Sequence, residues 1–513
     1  MNKLRLSSIG LCCSCLLGCN HPVLRGGPGV PDDGGVAQPD ATMVCAPSEP
    51  PSCDANNDVQ VCRADGSGYE ITPCAGGCSN GQCNCSLGQR RCNGMTAQVC
   101  VAGGGWMDDA ACLAQCHDGV CDDIRCAGEA TGAGEFSLPN DAWPRFRHDN
   151  RNSGWNPVPV ADMPKRKWKS GPYGTNYLNT QYGGMASGPV VNQANVVFVG
   201  AGDGDGKNGA LYSLDSTGKQ LWVFMGNRGY GYTTPAVRTD GTSYFSSQDG
   251  NAYAVDSTGM LAWKFPFGMQ DDCSPIVTSA GNVIYGSDTN QLFALDFNGH
   301  SLWESDPTAG PGEVDSALAE SCDGVVLAGG RNGWAALDAK SGMTTWKIAA
   351  TGQYGALMSS PLVDFDGNMY GVDSGGIAIA IDKTGKTLWA KQVGPAGAGT
   401  SMAKIGTLLL VVLNDGMLHA LDSTSGTSMW SANVHQQPET FKHGGPVVDG
   451  RQRIYFSSND GNLYCFDTKG NALWQQPTSG VVATGASSFG EMAIANDGTL
   501  YVPGNDGMLH AFQ

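Results

Sequence analysis

From residue 168 to the C-terminus, short apolar runs alternate with polar, glycine-containing turns in a repeat of about 40 to 45 residues. A repeat begins with apolar runs such as 188–191 and 196–199, and an alternating run such as 211–214 follows. After a glycine turn, a last short run carries a tryptophan. Short alternating runs bounded by Gly and Asp are typical of β-strands. The pattern therefore predicts four strands per repeat, and a repeat of this length indicates a propeller or a solenoid.

Seven repeats carry an Asp at the end of the third strand and a Trp in the fourth, with a Gly four residues before the Trp. The pairs are Asp215 and Trp222, Asp256 and Trp263, Asp296 and Trp303, Asp338 and Trp346, Asp382 and Trp389, Asp422 and Trp430, and Asp467 and Trp474. An indole on an outer strand is able to wedge against the next repeat and donate its N–H to a backbone carbonyl. A carboxylate at a turn caps the backbone of that turn. We expect structural roles for both sets.

An eighth repeat is divided between the two ends of the chain. Residues 506–513 form a third strand that stops where the Asp turn is due, and the missing outer strand is supplied by 166–169, with Trp168. Closing the ring in this way leaves no open sheet edge. The predicted fold class is all-β: an eight-bladed β-propeller of four-stranded blades, closed by N- and C-terminal strands over residues 166–513 and preceded by a small disulfide-rich region.

The repeats resemble a known family. Residues 336–346 and 420–430 follow the pattern Ala-x-Asp-x-x-Thr/Ser-Gly-x-x-x-Trp of pyrroloquinoline-quinone-type propellers. Residues 143–149, Trp-Pro-Arg-Phe-Arg-His-Asp, with Gly154, resemble the entry segment of the same family. The resemblance implies the propeller fold. It also implies either a quinone-dependent dehydrogenase or a non-catalytic relative, such as the propeller lipoprotein of the outer-membrane barrel-assembly machinery.

The N-terminus has the pattern of a lipoprotein signal. Lys3 and Arg5 precede a short apolar stretch, and Leu16-Leu17-Gly18-Cys19 fits a lipobox, so residues 1–18 are predicted to be removed and Cys19 to be lipidated. Several acyl chains on one residue give a stable membrane anchor. The alternative is an ordinary secretory signal with an incidental Cys. Residues 19–42, rich in Pro, Gly and Asp, are predicted to be a flexible tether.

Residues 43–126 contain two copies of a six-cysteine pattern, and an exported chain rich in cysteine favours disulfides over zinc. The twelve predicted disulfide cysteines are Cys45, Cys53, Cys62, Cys74, Cys78 and Cys83, followed by Cys85, Cys92, Cys100, Cys112, Cys116 and Cys121. The pairing stays open. The pattern resembles the tandem modules of secreted myxobacterial proteins. Cys126 is left over, either free or paired with a propeller cysteine, and residues 127–165 are a linker and propeller entry segment.

The formal net charge of −18 argues against nucleic acid as a partner, because phosphate binding requires a basic face. Segments entering the first strands are expected to meet at one mouth of the central channel. They carry Asp271, Asp272, Glu313 and Asp315, with Lys442 and His443 opposite. Clustered carboxylates suit Ca²⁺ or a basic peptide, and the alternative is solvated loop charge.

The resulting hypothesis is a non-catalytic, lipid-anchored propeller of the bacterial cell envelope, at the outer membrane, that binds envelope proteins, peptides or polysaccharide. No catalytic residues are assigned and no cofactor is expected, with calcium or pyrroloquinoline quinone as the possible exceptions. The alternative is a quinone-dependent oxidoreductase of the alcohol or sugar dehydrogenase type. Quinone catalysis needs a cation on the cofactor, a carboxylate base and a stacking indole, and the sequence offers no matching set.

Overall fold

In a computed structural model, the regular elements of the described residues are all strands. The described residues are 45–46, 48–55, 59–65, 67–72, the backbone of strands within 78–121, and 142–513 except 172–186, 203–208, 228–232, 248, 269–272, 309, 315, 351–358, 397–399, 436–443, 479–490 and 505–506. Within these residues, no helix has the length and hydrophobicity needed to cross a bilayer. The chain divides into two compact units, residues 1–86 with 103–105 and residues 87–102 with 106–513.

Eight four-stranded antiparallel sheets make up the propeller, which confirms the predicted fold class. From the inner to the outer strand, blade 1 contains Val190–Val191, Val197–Gly202, Gly209–Leu214 and Gln220–Asn227; blade 2, Ala236–Val237, Ser243–Ser247, Asn251–Val255 and Leu261–Pro266; blade 3, Ile276–Val277, Val283–Gly286, Leu292–Leu295 and Ser301–Glu304; blade 4, Ala319–Glu320, Val325–Gly330, Gly333–Asp338 and Thr344–Ala349. Blade 5 contains Leu362–Val363, Met369–Val372, Ile377–Ile381 and Thr387–Gln392; blade 6, Ala403–Ile405, Leu408–Val412, Met417–Asp422 and Ser428–Asn433; blade 7, Val447–Val448, Ile454–Ser457, Asn462–Phe466 and Ala472–Pro477; blade 8, Ala493–Ile494, Leu500–Pro503, Leu509–Phe512 and Arg166–Ser170.

The burial of each strand follows from its place in the blade. The second and third strands of blade 3, Val283–Gly286 and Leu292–Leu295, are buried at every residue because neighbouring blades cover both faces. The outer strand Ala472–Pro477 has no buried residue and alternates between exposed and half-buried residues along much of its length. This difference explains why the inner runs of the sequence are continuously apolar, whereas the outer runs alternate.

The ring closes through hydrophobic clusters between successive blades. Separate clusters link blades 1 and 2, 2 and 3, 3 and 4, 4 and 5, 5 and 6, and 6 and 7. The largest cluster joins blades 7, 8 and 1, and it includes Tyr455, Tyr501 and Val199. In blade 8 the outer strand Arg166–Ser170 pairs with Leu509–Phe512, so strands from the two ends of the chain complete one sheet.

The two six-cysteine segments contain the same set of strands. The first has a three-stranded sheet of Ser52–Cys53, Val59–Cys62 and Tyr69–Thr72, and a hairpin of Cys78–Ser79 and Gln82–Cys83. The second has a sheet of Arg90–Asn93, Thr96–Cys100 and Trp106–Ala111, and a hairpin of Cys116–His117 and Val120–Cys121. Cys45 and Cys62, the first and third cysteines of the first segment, form a disulfide.

Candidate functional site at the closed end of the propeller axis

Residues 143–156, named here the entry segment, contact the inner strand of every blade. The inner strand of each blade runs along the propeller axis and then turns into the second strand. We name the end of the propeller where this turn lies the turn face, and the opposite end the loop face. The contacts follow the blade order: Trp143 N to Val191 O (2.9 Å), Val237 N to Pro144 O (2.8 Å), Asn150 Nδ2 to Val277 O (2.8 Å), Glu320 N to Asn150 O (2.6 Å), Val363 N to Arg151 O (2.9 Å), Lys404 N to Ser153 O (2.9 Å), Val448 N to Gly154 O (2.8 Å) and Asn156 Nδ2 to Ile494 O (3.0 Å). The entry segment therefore circles the axis once and closes it at the turn face.

The circular path depends on left-handed backbone conformations. Arg147, His148 and Asn152 have φ values of 56°, 78° and 55°, and Gly154 has 65°. Each non-glycine residue in this region costs about 1 kcal/mol or more, so other contacts must stabilise the segment. The contacts are available because the inner strands are mostly two residues long and present backbone groups that otherwise lack partners.

Two fully buried arginines fasten the entry segment to the inner strands. Arg145 Nη2 donates to Leu318 O at 2.7 Å, and Arg147 Nη2 donates to Met402 O at 2.8 Å and to Pro446 O at 2.6 Å. Burial lowers the pKa of each guanidinium to about 10, and nearby carboxylates oppose the shift. Both side chains therefore remain charged at neutral pH. Arg145 binds the entry segment to blade 4, and Arg147 binds it to blades 6 and 7.

Glu491 is the only acidic residue that stands two positions before the inner strand of a blade. The residue two before each inner strand is small in the other blades: Gly188, Thr234, Ser274, Ala317, Ser360, Ser401 and Gly445. In blade 8 it is Glu491, whose Oε1 accepts the backbone N–H of Arg147 at 2.6 Å and lies 3.7 Å from Arg147 Nε. Burial raises the pKa of Glu491 to about 8, against the opposing effect of Arg147. Among the described residues, Glu491 Oε2 and Arg147 Nη1 have no hydrogen-bond partner.

The other carboxylates at this end are occupied by structural contacts. Asp149 accepts from Arg151 Nη2 at 3.1 Å and from Ser153 Oγ at 2.8 Å. Burial acts to raise the pKa of Asp149, but Arg151 and the other donors hold it below its usual value. Glu320 accepts from Asn150 Nδ2 at 2.8 Å and from the Ser279 hydroxyl at 2.6 Å. Asp149 therefore holds the entry segment in its own conformation, and Glu320 binds the segment to blade 4.

Most of the predicted channel-mouth residues, namely Asp271, Asp272, Asp315, Lys442 and His443, lie outside the described residues. Glu313 is described: it precedes the inner strand of blade 4 on the loop face and forms an ion pair with Arg331. In the part of the chain that the structure describes, His, Cys, Asp and Glu side chains form no group of three or more that could hold a metal ion.

The outer-strand tryptophans contact the next blade. Seven indole Nε1 atoms donate to a turn carbonyl of that blade: Trp168 to Ser216, Trp222 to Ser257, Trp263 to Phe297, Trp303 to Ala339, Trp346 to Lys383, Trp389 to Ser423 and Trp430 to Thr468. Each ring also lies against the glycine of the same turn. A Cβ added at that glycine would come within 3 Å of the ring, as it would at Gly259 against Trp222. These seven contacts explain why both a Gly and a Trp recur in the repeats, since the Trp of one blade packs on the Gly of the next.

The repeat aspartates cap the turns between third and outer strands. Asp256 Oδ1 accepts the backbone N–H groups of Thr258 and Met260 at 2.9 and 3.0 Å. The Thr258 hydroxyl is the largest influence on the pKa of Asp256, which is lowered. Asp215 and Asp382 have the same partners two and four residues later. The capped turn holds the glycine that receives the tryptophan.

The remaining propeller cysteines have different environments. Cys465 is a free, buried thiol on the third strand of blade 7, and burial raises its pKa to about 12. Cys273 Sγ donates to Ser316 O at 3.1 Å. Cys322 is disulfide-bonded.

The roles of Arg145, Arg147 and Glu491 were not predicted from the sequence. The available signal was the Trp-Pro-Arg-Phe-Arg-His-Asp run, which lies outside the repeat yet resembles a family entry segment. Glu491 carried a second signal, because it is the only acidic residue at a repeat position that is otherwise small.

The fold and its closed axis define a β-propeller of the pyrroloquinoline-quinone-like repeat class. The chain belongs to the family described as outer membrane protein assembly factor BamB, which matches residues 165–296, 207–353 and 290–513. No curated protein sequence matches the chain.

Solved structures share the fold at low sequence identity. BamB from Moraxella catarrhalis is 17% identical, with a TM-score of 0.51, over 64% of this chain and 96% of its own. Quinohemoprotein alcohol dehydrogenase from Comamonas testosteroni is 15% identical, with a TM-score of 0.54, over 76% of this chain and 82% of its own. The computationally designed Ika8 protein is 14% identical, with a TM-score of 0.51, over 64% and 96%. These similarities concern the fold alone.

Proposed function

We propose that this protein is a non-catalytic scaffold of the bacterial cell envelope that binds a protein or peptide partner through the loop face of its propeller. The observation that carries the proposal is the use of the buried polar groups at the axis. Arg145, Arg147, Asp149 and Glu320 bind the backbone or neighbouring side chains, and in doing so they hold the entry segment in place. A general acid or base must instead be free to reach a substrate. Membership of the BamB family supports the same role.

The closed turn face favours the loop face as the binding surface. The entry segment covers the inner-strand ends at the turn face, so a partner that enters the axis does so from the opposite side. In sequence, four carboxylates, Asp271, Asp272, Glu313 and Asp315, come before the inner strands of blades 3 and 4, and we assign them to the loop face. A segment rich in Lys or Arg is the complementary partner, because opposite charges favour encounter and orientation.

The test of this surface is a titration of the full chain with a fluorescent oligolysine peptide at low salt. Asp271→Asn with Asp315→Asn is expected to weaken binding about threefold to tenfold, the range for two rim charges. The matched control, Asp323→Asn with Asp366→Asn, removes two exposed carboxylates of the turn face and is expected to leave binding unchanged. Equal losses in both variants would reject the loop face. A melting temperature that rises with Ca²⁺ in the wild type but not in the loop-face variant would assign the carboxylates to calcium instead.

The catalytic alternative has its own test. The full chain is titrated with pyrroloquinoline quinone, with and without Ca²⁺, and assayed for dye reduction with alcohols and sugars. We expect no saturable binding. Tight binding with substrate-dependent dye reduction would replace the scaffold proposal with a quinone-dependent oxidoreductase.

Lipidation at Cys19 places the scaffold at a membrane, with residues 19–42 as the tether. Labelled palmitate is expected to be incorporated into the wild-type chain, which fractionates with the outer membrane. Cys19→Ala is expected to lose both the label and the membrane association. A labelled or membrane-bound Cys19→Ala chain would contradict the anchor.

A further inference from the structure

The outer strand of blade 8 is strongly basic, in contrast to the chain as a whole. Three of the five residues of Arg166–Ser170 are cationic, and Lys165 directly precedes the strand. The formal net charge of the chain is −18, so this cluster is opposite in sign to most of the protein. We name its four cationic side chains the basic edge: Lys165, Arg166, Lys167 and Lys169.

The protection of a sheet edge does not require four cations. Lysine on an outer strand discourages pairing with a strand of another chain. The outer strands of the other seven blades are sheet edges of the same kind, yet each carries at most one charged residue. The outer strands of blades 1, 6 and 7 carry none. The basic edge therefore exceeds what a free strand edge needs.

The basic edge is exposed and has no carboxylate partner among the described residues. All four side chains are exposed, and none of them forms an ion pair in the part of the chain that the structure describes. Lys167 Nζ donates to Gln513 Oε1 at 2.6 Å, and Arg166 Nη1 lies 3.4 Å from Thr478 O. Segments 172–186 and 479–490, which follow these strands in sequence, contain no charged residue.

The nearest carboxylates have other partners. Asp215 lies in the blade 1 turn that receives the outer strand of blade 8, and it accepts the backbone N–H of Lys219 at 3.0 Å. Asp162, which precedes the strand, forms ion pairs with Arg451 and Arg453. Each of these carboxylates is offset by cations outside the basic edge. The basic edge therefore keeps its excess of positive charge.

Exposed apolar side chains flank the basic edge. Met163, two residues before Lys165, is 72% exposed. The residue before the outer-strand Trp is Lys167 in blade 8, whereas it is Leu473 in blade 7 and Leu221 in blade 1, and both leucines are about half exposed. Cations beside exposed apolar side chains are typical of surfaces that lie on a membrane. An acidic peptide would bind the cations but leave the apolar side chains in water.

We propose that the basic edge binds a membrane surface of negatively charged lipid headgroups, with the outer strands of blades 7, 8 and 1 facing the bilayer. The net charge of −18 does not prevent this contact. At physiological ionic strength the Debye length is about 8 Å, so carboxylates farther than this from the bilayer are largely screened. The surface is separate from the loop face, and the proposal holds with or without a lipid anchor.

Lysine acetylation of the full chain on vesicles tests this surface. The chain is acetylated on vesicles of phosphatidylcholine alone and on vesicles that also contain phosphatidylglycerol, and each lysine is followed by mass spectrometry. We expect Lys165, Lys167 and Lys169 to react more slowly on the anionic vesicles, because the lipid surface covers their amines. Lys264 and Lys347, exposed on the outer strands of blades 2 and 4, are expected to react equally on both.

Three results of this experiment would overturn the proposal. The first is equal acetylation of the basic edge on the two kinds of vesicle. The second is slow acetylation of the basic edge without vesicles, since another part of the chain would then cover it. The third is protection by an oligoglutamate peptide together with no protection on anionic vesicles, which would assign the basic edge to an acidic polypeptide.

The affinity for vesicles gives a second measurement. Residues 20–513 are exported behind a cleavable secretory signal, so that no acyl group is attached, and are sedimented with the anionic vesicles. Replacing the three lysines of the basic edge by Gln is expected to weaken binding about 100-fold, since each cation at an anionic surface contributes about fivefold. The substitutions are Lys165→Gln, Lys167→Gln and Lys169→Gln.

The matched control removes three exposed lysines from the outer strands of blades 2, 4 and 5. Its substitutions are Lys264→Gln, Lys347→Gln and Lys391→Gln. We expect it to weaken binding by less than about twofold, because screening separates these blades from the surface of contact. Equal losses in the two triple variants, or no binding of the unsubstituted chain at low salt, would also overturn the proposal.

Discussion

The junction between blades 7 and 8 differs from the other seven. At each of those seven, an indole Nε1 donates to a turn carbonyl and its ring lies against a turn glycine of the next blade. Trp474, at the eighth junction, has no hydrogen-bond partner for Nε1 among the described residues. The indole lacks a turn to contact because blade 8 takes its third strand from Leu509–Phe512 and its outer strand from Arg166–Ser170. No covalent turn links these two strands.

Other contacts compensate at that junction. Lys165 and Gln513 exchange two backbone hydrogen bonds, of 2.9 and 3.0 Å, where the turn is missing. The largest hydrophobic cluster joins blades 7, 8 and 1, and it includes Trp143 and Val160 from the segment that precedes the repeats. Repeated residues therefore close seven junctions locally, whereas the eighth depends on residues that belong to no repeat.

The largest effect is expected from the entry segment. Arg147→Ala removes two hydrogen bonds from a charged donor and leaves the buried carbonyls of Met402 and Pro446 without it, so we expect a loss of about 3–5 kcal/mol in the free energy of unfolding. Urea unfolding measures it. Lys219→Ala, at an exposed turn position, is the control and is expected to change stability by less than about 0.5 kcal/mol. Equal effects would show that the repeats alone hold the ring.

A pH effect is expected at Glu491. Its folded pKa of about 8 lies above the ordinary value of 4.5, so the folded state binds the extra proton. The stabilisation is complete below about pH 4.5 and is lost as the pH rises to 8. Arg147 and Arg145 are the charged groups that oppose the shift. We expect Glu491→Gln to remove this loss, on the order of 4 kcal/mol in unfolding free energy between pH 5 and 9. Parallel pH profiles for both proteins would contradict it.

The contact between a tryptophan and the turn glycine of the next blade is tested by substituting the glycine. Gly259→Ala would place a Cβ 2.8 Å from the Trp222 ring at a φ of +87°, and we expect a loss of about 2 kcal/mol or more. Gly268→Ala is the matched control because its φ is +85° but no atom lies within 4 Å, so only the backbone cost of about 1 kcal/mol is expected. Thermal unfolding compares the two. Equal losses would mean that the ring contact contributes nothing.

The smallest effect is expected from the indole hydrogen bond, which is tested by comparing substitutions of two tryptophans. Trp263→Phe removes a hydrogen bond of 2.9 Å to Phe297 O, while Trp474→Phe removes no such bond among the described contacts. We expect Trp263→Phe to cost about 1 kcal/mol more. Urea midpoints of the two variants measure the difference. A larger loss at Trp474 would reverse the comparison between the junctions.

Much of the fold was predictable because its determinants are local and repeated. Alternating and continuous apolar runs distinguish outer from inner strands, and the final residues, 506–513, indicated a blade shared by both termini. The site was less accessible. Arg147 binds carbonyls 255 and 299 residues away along the chain, and no local pattern encodes such a contact.

The sequence by itself determined the class of fold, the number of blades and the residues that repeat at each junction, since strand period and turn chemistry act over a few residues. Only the tertiary structure decided that the entry segment circles the axis, that two buried arginines fasten it, and that Glu491 meets Arg147. These contacts join residues hundreds of positions apart. They exist only once the ring has formed, because ring closure brings the inner strands of all eight blades together at one end.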